Sequence, residues 1–227
     1  MHIEPGLVAA GKAWLGYATA TGVVGYTLVH AWQALRAHGP AALVARTVAT
    51  TVLVLCFFEL LPHRPVGVSE VHFVLGSTLL LLFGVVPAAL GLALGLLVQG
   101  LAFAPFDLPQ YGMNVTTLLI PLFVIGALSR RLIRPDTPYV DVSYRQALAL
   151  STTYQAGIVA WVAFWAFYGS GFSAGNTAAV LTFSSAYAVV ILVEPLVDLA
   201  VLALAKAFAP LRNAGLLEAR LYRPDTT

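Results

Sequence analysis

A single cysteine, Cys56, stands in 227 residues, and one thiol cannot close an internal disulfide. Neither a Cys-x-x-Cys pair nor a Cys/His cluster appears, so the sequence offers no zinc site and no redox framework. Charge is equally scarce: 10% of the residues are charged, against about 25% in soluble domains. That scarcity excludes an ordinary soluble fold. A formal net charge of +2 is too small to argue for a nucleic-acid partner. A nucleotide site is missing too. The stretch Gly6 to Ala13, GLVAAGKA, falls short of the phosphate-binding pattern, because Ala13 offers no hydroxyl for magnesium and no strand precedes it. The long runs do not alternate, which excludes a closed membrane barrel.

What the chain has is apolar length. Hydrophobic residues make up 59%, in runs of roughly 17 to 30, enough to cross a hydrocarbon core about 30 Å thick. The reading is an all-α polytopic membrane protein, one transmembrane domain over 1–227 with about seven helices. The segments fall at about 12–35, 41–62, 69–85, 87–104, 112–133, 143–168 and 175–208. Only Gly84 to Pro87 separates the third from the fourth, a tight helical hairpin or a kinked pair. A tail of about 209–227 follows the last segment. Gly/Pro-rich stretches such as His38-Gly39-Pro40 and Pro62 to Gly67 mark the turns.

The basic residues orient this arrangement. With the N-terminus outside, Arg36, Arg46, Arg130, Arg131, Arg134, Arg145, Lys206, Arg212, Arg220 and Arg223 all face the cytoplasm, as does the C-terminus. Only Lys12 and Arg64 of the 12 basic residues lie outside. Cytoplasmic loops are the ones that carry excess Lys and Arg. His2 then shares the outer face with the loop LPHRPVGVSEVH, which holds His63 and His72.

A histidine at position two has its own chemistry. The Met1 amine, the His2 amide nitrogen and a His2 ring nitrogen can bind one ion, closing a five- and a six-membered chelate ring. A fourth nitrogen completes a square, which suits nickel(II) or copper(II). The amine must lose its proton to bind, so binding is pH-dependent and weakens in acid. Pro5 and Gly6 keep the segment of about 1–11 from running on as helix. A cleavage after Ala20 would remove His2, but no apolar core follows a basic start there, so the chain is expected to keep it. An ionisable residue opening an apolar run, as His72 does, is a functional candidate.

Four elements in order resemble one family. Met1-His2-Ile3-Glu4-Pro5-Gly6 fits Met-His-Ile-x-x-Gly. Gly67-Val68-Ser69-Glu70-Val71-His72 is similar to a Gly-Thr-Ser-x-His element, with Val68 in the place of threonine. Leu97 to Phe103, with Gln99, looks like the family's Gln-containing helix end, and Tyr111 to Val115, with Asn114, like its Gly-x-Asn-Val element. The family is the CbiM/NikM type, the substrate-binding membrane subunit of energy-coupling-factor transporters for cobalt and nickel. The resemblance implies a metal site of Met1, His2 and His72, with Ser69, Gln99 and Asn114 as outer partners. It implies a transported Ni2+ or Co2+ rather than a catalytic cofactor. The partners it implies are a transmembrane coupling subunit and ATPase subunits, with or without a small accessory membrane subunit, in a bacterial cytoplasmic membrane. Cobalt import would serve cobalamin biosynthesis.

Three acidic residues sit within apolar runs: Glu59, and Glu194 with Asp198 one turn on. Charges there are costly and should face the protein interior. Structural roles, as protonated or hydrogen-bonded groups, are expected of them. A proton-coupled carrier would use such carboxylates, and an intramembrane enzyme pairing one with a histidine is the rival of another class, though no nucleophile–base spacing supports it. Tyr154, Trp161, Trp165 and Tyr168 read as packing and an interfacial belt. The small residues Gly16, Ala18, Ala20 and Gly22 read as a close-packing helix face, which the resemblance would also assign to docking on the coupling subunit.

Overall fold

The computed structural model describes residues 10–208 and 216–224, except the side chains of Ala10 and His38. Met1 and His2 lie outside the described residues. Seven α-helices are present among them: α1 (Ala10–His38), α2 (Pro40–Glu59), α3 (Gly76–Phe83), α4 (Val85–Ala102), α5 (Tyr111–Leu132), α6 (Tyr144–Ser170) and α7 (Ala174–Ala207). Five stretches are long and apolar enough to cross a membrane: α2, α4, α5 with the 3₁₀ turn Pro105–Gln110 ahead of it, α6 and α7. The protein is a multi-pass helical membrane protein.

Local chemistry sets the helix ends. Ser143 opens α6 with a capping box, its hydroxyl accepting from the Gln146 amide while Gln146 reaches back to the Ser143 amide. Ser173 caps α7 by accepting from Asn176. Pro40 stands at the first turn of α2, where a missing N–H costs nothing. Between α3 and α4 the whole connection is Gly84, at φ 87°. So the pair is separated by one residue, and Pro87 lies inside α4 rather than in a linker.

The third segment corrects the sequence reading. Residues 69–85 do not form one membrane-length helix. Strand β1 (Arg64–Val66) pairs antiparallel with β2 (Ser69–Val71) in the register Arg64↔Val71, Pro65↔Glu70 and Val66↔Ser69. His72 to Leu75 follow without helix, and α3 has only 8 residues. Gly76 to Leu81 and Phe83 are all buried. Burial within protein is what lets non-helical backbone exist at membrane depth. The neighbours here are α2, α4, α5, α6 and α7.

The main packing pairs are α2 on α4, α6 on α7, and α5 on both α1 and α6. On α1 the buried residues Lys12, Gly16, Ala20, Val23 and Thr27 recur at helical spacing. Gly16 meets Gly112 so closely that a Cβ on Gly112 would lie 2.9 Å from the Gly16 carbonyl. Half of the small-residue face thus packs internally, while Gly22 has open space around it. Gly112→Val is therefore expected to destabilise the protein by about 1–3 kcal/mol, the usual cost of overpacking. Gly22→Val should leave the melting temperature in detergent nearly unchanged.

One end of the bundle gathers the described basic residues other than Lys12 and Arg64. There the segment after α7 folds back: the Glu218 amide donates to the Leu82 carbonyl at 2.7 Å, and Arg46 Nη1 donates to Glu218 Oε2 at 3.0 Å. Arg220 donates to the Ile133 carbonyl at 2.9 Å, and Lys206 pairs with Asp141 at 2.5 Å. The other end holds the hairpin, the α4–α5 connection and the α6–α7 turn.

Candidate functional site

At the hairpin end the chain turns through Gly67 at φ 63°, a glycine-first two-residue hairpin turn. Because strand side chains alternate, Glu70 and His72 point the same way. Their side chains meet: His72 Nε2 lies 3.0 Å from Glu70 Oε2. When Nε2–H donates to that carboxylate, the ring lone pair sits on Nδ1. This is the arrangement that orients metal-ligating histidines.

His72 is 1% exposed. Phe58, from the last turn of α2, packs edge-on to its ring at 5.2 Å. His63 stacks on it at 5.0 Å with 12° between the planes. The Tyr187 hydroxyl of α7 hydrogen-bonds the His72 backbone. The imidazole is thus held from α2, α7 and its own hairpin, and its rotation is restricted on every side.

Gln99 and Asn114 come to the same end. Gln99 Nε2 donates to Glu59 Oε1 at 2.9 Å, and Glu59 is the residue after Phe58. So α2's last turn touches His72 with one residue and Gln99 with the next. Gln99 Oε1 and Asn114 Oδ1 are buried acceptors without a hydrogen-bond partner among the described residues. Leaving a buried acceptor unmet costs about 1–3 kcal/mol, so both are poised for a donor. Asn114 lines a narrow cavity with Gly100, Asp107 and Tyr111. Ser69 is buried at the start of β2.

Several participants were missed by sequence reasoning. Glu70 is the main one, and strand alternation around His72 is the signal that finds it. Phe58 and Tyr187 lie in apolar runs with nothing to mark them. Lys12, expected outside as a lone cation, is buried at 1% exposure on α1, and its Nζ has no hydrogen-bond partner among the described residues. Tyr154 and Trp165 are fully buried and only Tyr168 is exposed, so the aromatic belt is in large part core. Among the described residues no three His, Cys, Asp or Glu side chains gather as one metal-binding group.

A family model described as the cobalt uptake substrate-specific transmembrane region (CbiM) matches residues 2–211. No curated protein and no solved structure matches the chain.

Proposed function

From the premise that the chain belongs to this cobalt uptake substrate-specific transmembrane family, we propose that it is the substrate-capturing subunit of an ATP-driven energy-coupling-factor importer for Ni2+ or Co2+. The ion is its cargo. The Met1 amine, the His2 amide and ring nitrogens, and the His72 ring would hold the ion at the outer face, with nitrogen donors in a tetragonal set. Ser69, Gln99 and Asn114 would orient the segment that carries Met1 and His2. The chain would cross a bacterial cytoplasmic membrane seven times, N-terminus outside, counting the hairpin-and-α3 segment as the third pass.

The observation that carries this reading is the Glu70–His72 pair, a carboxylate fixing a buried imidazole at 3.0 Å. The two unmet acceptors of Gln99 and Asn114 at the same end support it. With no ATP site legible in the sequence, nucleotide hydrolysis would belong to ATPase subunits, coupled through a transmembrane partner subunit.

The test is calorimetric titration of purified protein with nickel and cobalt. Protein beginning at Met1 is compared with His2→Ala and with a form extended by several residues before Met1. Tight binding of one ion by the first form alone supports the reading. Equal binding by all three would rule out the N-terminal chelate.

A further inference from the structure

Deep in the bundle, away from the hairpin end, Glu194 and Asp198 stand one turn apart on α7 and are both 0% exposed. Pro195 between them removes one helix hydrogen bond at that level. Among the described residues no lysine, arginine or histidine is paired with either carboxylate. The groups facing them are Ser77 and Thr78 from α3, Ser151, Gln155 and Tyr154 from α6, and Tyr187 from α7. The titratable neighbours are thus two tyrosines, and none of these groups is cationic at neutral pH.

The hydrogen of Ser77 cannot serve both carboxylates if both are ionised. Ser77 Oγ lies 2.8 Å from Asp198 Oδ2 and 3.2 Å from Glu194 Oε1. A hydroxyl has only one hydrogen to donate. With two anions, one of these contacts sets a lone pair against a buried negative oxygen. The remaining carboxylate oxygens are already served: Thr78 Oγ1 donates to Asp198 Oδ1, and Gln155 Nε2 donates to Glu194 Oε2.

We propose that this pair is a proton-binding site, with one exchangeable proton carried by Glu194. Glu194 Oε1–H donates to Ser77 Oγ, Ser77 donates to Asp198 Oδ2, and Asp198 stays ionised. Every contact in the chain then has one hydrogen. The single remaining charge lies at the start of α3, whose first-turn residues are Gly76, Ser77 and Thr78. A helix N-terminus carries partial positive charge, so that is where an anion is best tolerated.

A second observation points to the same ligand. Gln155 Oε1 is fully buried and has no hydrogen-bond partner among the described residues. Amide oxygen and nitrogen exchange places by a simple flip. The flip would set Gln155 Oε1 against Glu194 Oε2, where the donor it lacks is a carboxylic-acid O–H. The flipped amide is an alternative to the Oε1–H arrangement, with the proton on Glu194 Oε2 and Gln155 as its acceptor instead of its donor. The Tyr154 hydroxyl, also buried and unpartnered among the described residues, lies on the ring whose tip packs against Gly76. None of the site's residues is a proposed metal ligand, although Tyr187 also hydrogen-bonds the His72 backbone.

Infrared spectroscopy of the full chain tests the proposal. At neutral pH the protein should show a carboxylic-acid C=O band, shifted in heavy water, that Glu194→Gln abolishes and Glu59→Gln leaves intact. Thermal stability of the wild type should fall as pH rises, because the native form holds a proton that the unfolded chain releases. Glu194→Gln should melt near the wild-type temperature with that pH slope flattened. Asp198→Asn should lower the melting temperature, since an amide cannot accept at both positions. Absence of the acid band, its survival in Glu194→Gln, or a melting temperature at neutral pH that rises with sodium would each overturn the proposal.

Discussion

Replacing His72 with alanine is expected to weaken nickel or cobalt binding by more than about 100-fold, beyond the ten- to hundredfold loss typical of a ligand's outer partner. The reasoning starts from the ring's surroundings. Phe58 and His63 confine it, the Tyr187 contact anchors its backbone, and Glu70 holds one of its nitrogens. A donor fixed in this way loses little freedom when it takes an ion. The alanine variant removes the donor and that preorganisation together. Glu70→Ala should cost less, about ten- to hundredfold, because the ring remains but its tautomer is no longer set. His63→Ala is the control: His63 is exposed, and its stacked ring is not in the proposed ligand set, so its loss should matter least. Calorimetry on the three variants, with melting temperatures to show that each remains folded, gives the order. An effect of His63→Ala larger than that of His72→Ala would move the ligand assignment from one ring to the other.

How far this end of the molecule could be read in advance varies from residue to residue. His72 was legible because an imidazole opening an apolar run is conspicuous. Glu70, two residues earlier, is hidden by the helical reading of the run, because helical spacing does not bring residues i and i+2 together. Gln99 and Asn114 entered through the family resemblance alone. Their shared property, a buried acceptor without a donor among the described residues, exists only once α4 and α5 are packed. The contacts of Ser77 with Glu194 and Asp198 span 117 and 121 positions. No local pattern encodes a pairing at that separation.

The helices themselves were mostly legible, and for a physical reason. In hydrocarbon each backbone polar group must be satisfied internally, so a long apolar run has little choice but to become helix. The expected segments 41–62, 87–104, 112–133, 143–168 and 175–208 accordingly match α2, α4, α5, α6 and α7 within a few residues. The third segment escaped that constraint because protein surrounds it. Val66, Val68 and Val71 around Gly67 are strand and turn residues. Leu75, at φ 52°, takes a left-handed conformation uncommon for leucine just before α3. Both features are local, and both were submerged in the hydropathy of the run.

The turn at Gly67 is where one methyl group should do the most damage. Gly67 has φ 63°, a region that costs a side-chain-bearing residue about 1–2 kcal/mol. A Cβ there would also stand 2.1 Å from the carbonyl oxygen of Ala179 and 3.2 Å from the Phe183 amide nitrogen. These are backbone atoms of α7 and cannot swing aside as a side chain would. Gly67→Ala must therefore lift the hairpin from α7 or bend the helix. Adding about 1–3 kcal/mol for overpacking, the expected destabilisation is about 2–5 kcal/mol. Gly171→Ala separates the two contributions. Its φ is 67°, yet nothing lies within 4 Å of its Cβ position, so it should show the backbone cost alone. Because Gly171 at ψ −173° carries a backbone cost of about 1–3 kcal/mol of its own, a lower melting temperature for Gly67→Ala reports the collision with α7. Because β2 leads directly into His72, lifting the hairpin should also displace the imbedded imidazole from Phe58 and Tyr187. Gly67→Ala should accordingly lose metal affinity along with stability, whereas Gly171→Ala should keep its affinity. If Gly67→Ala melted no lower than the wild type, the hairpin would have to be free of α7, and the rigid placement of His72 would go with it.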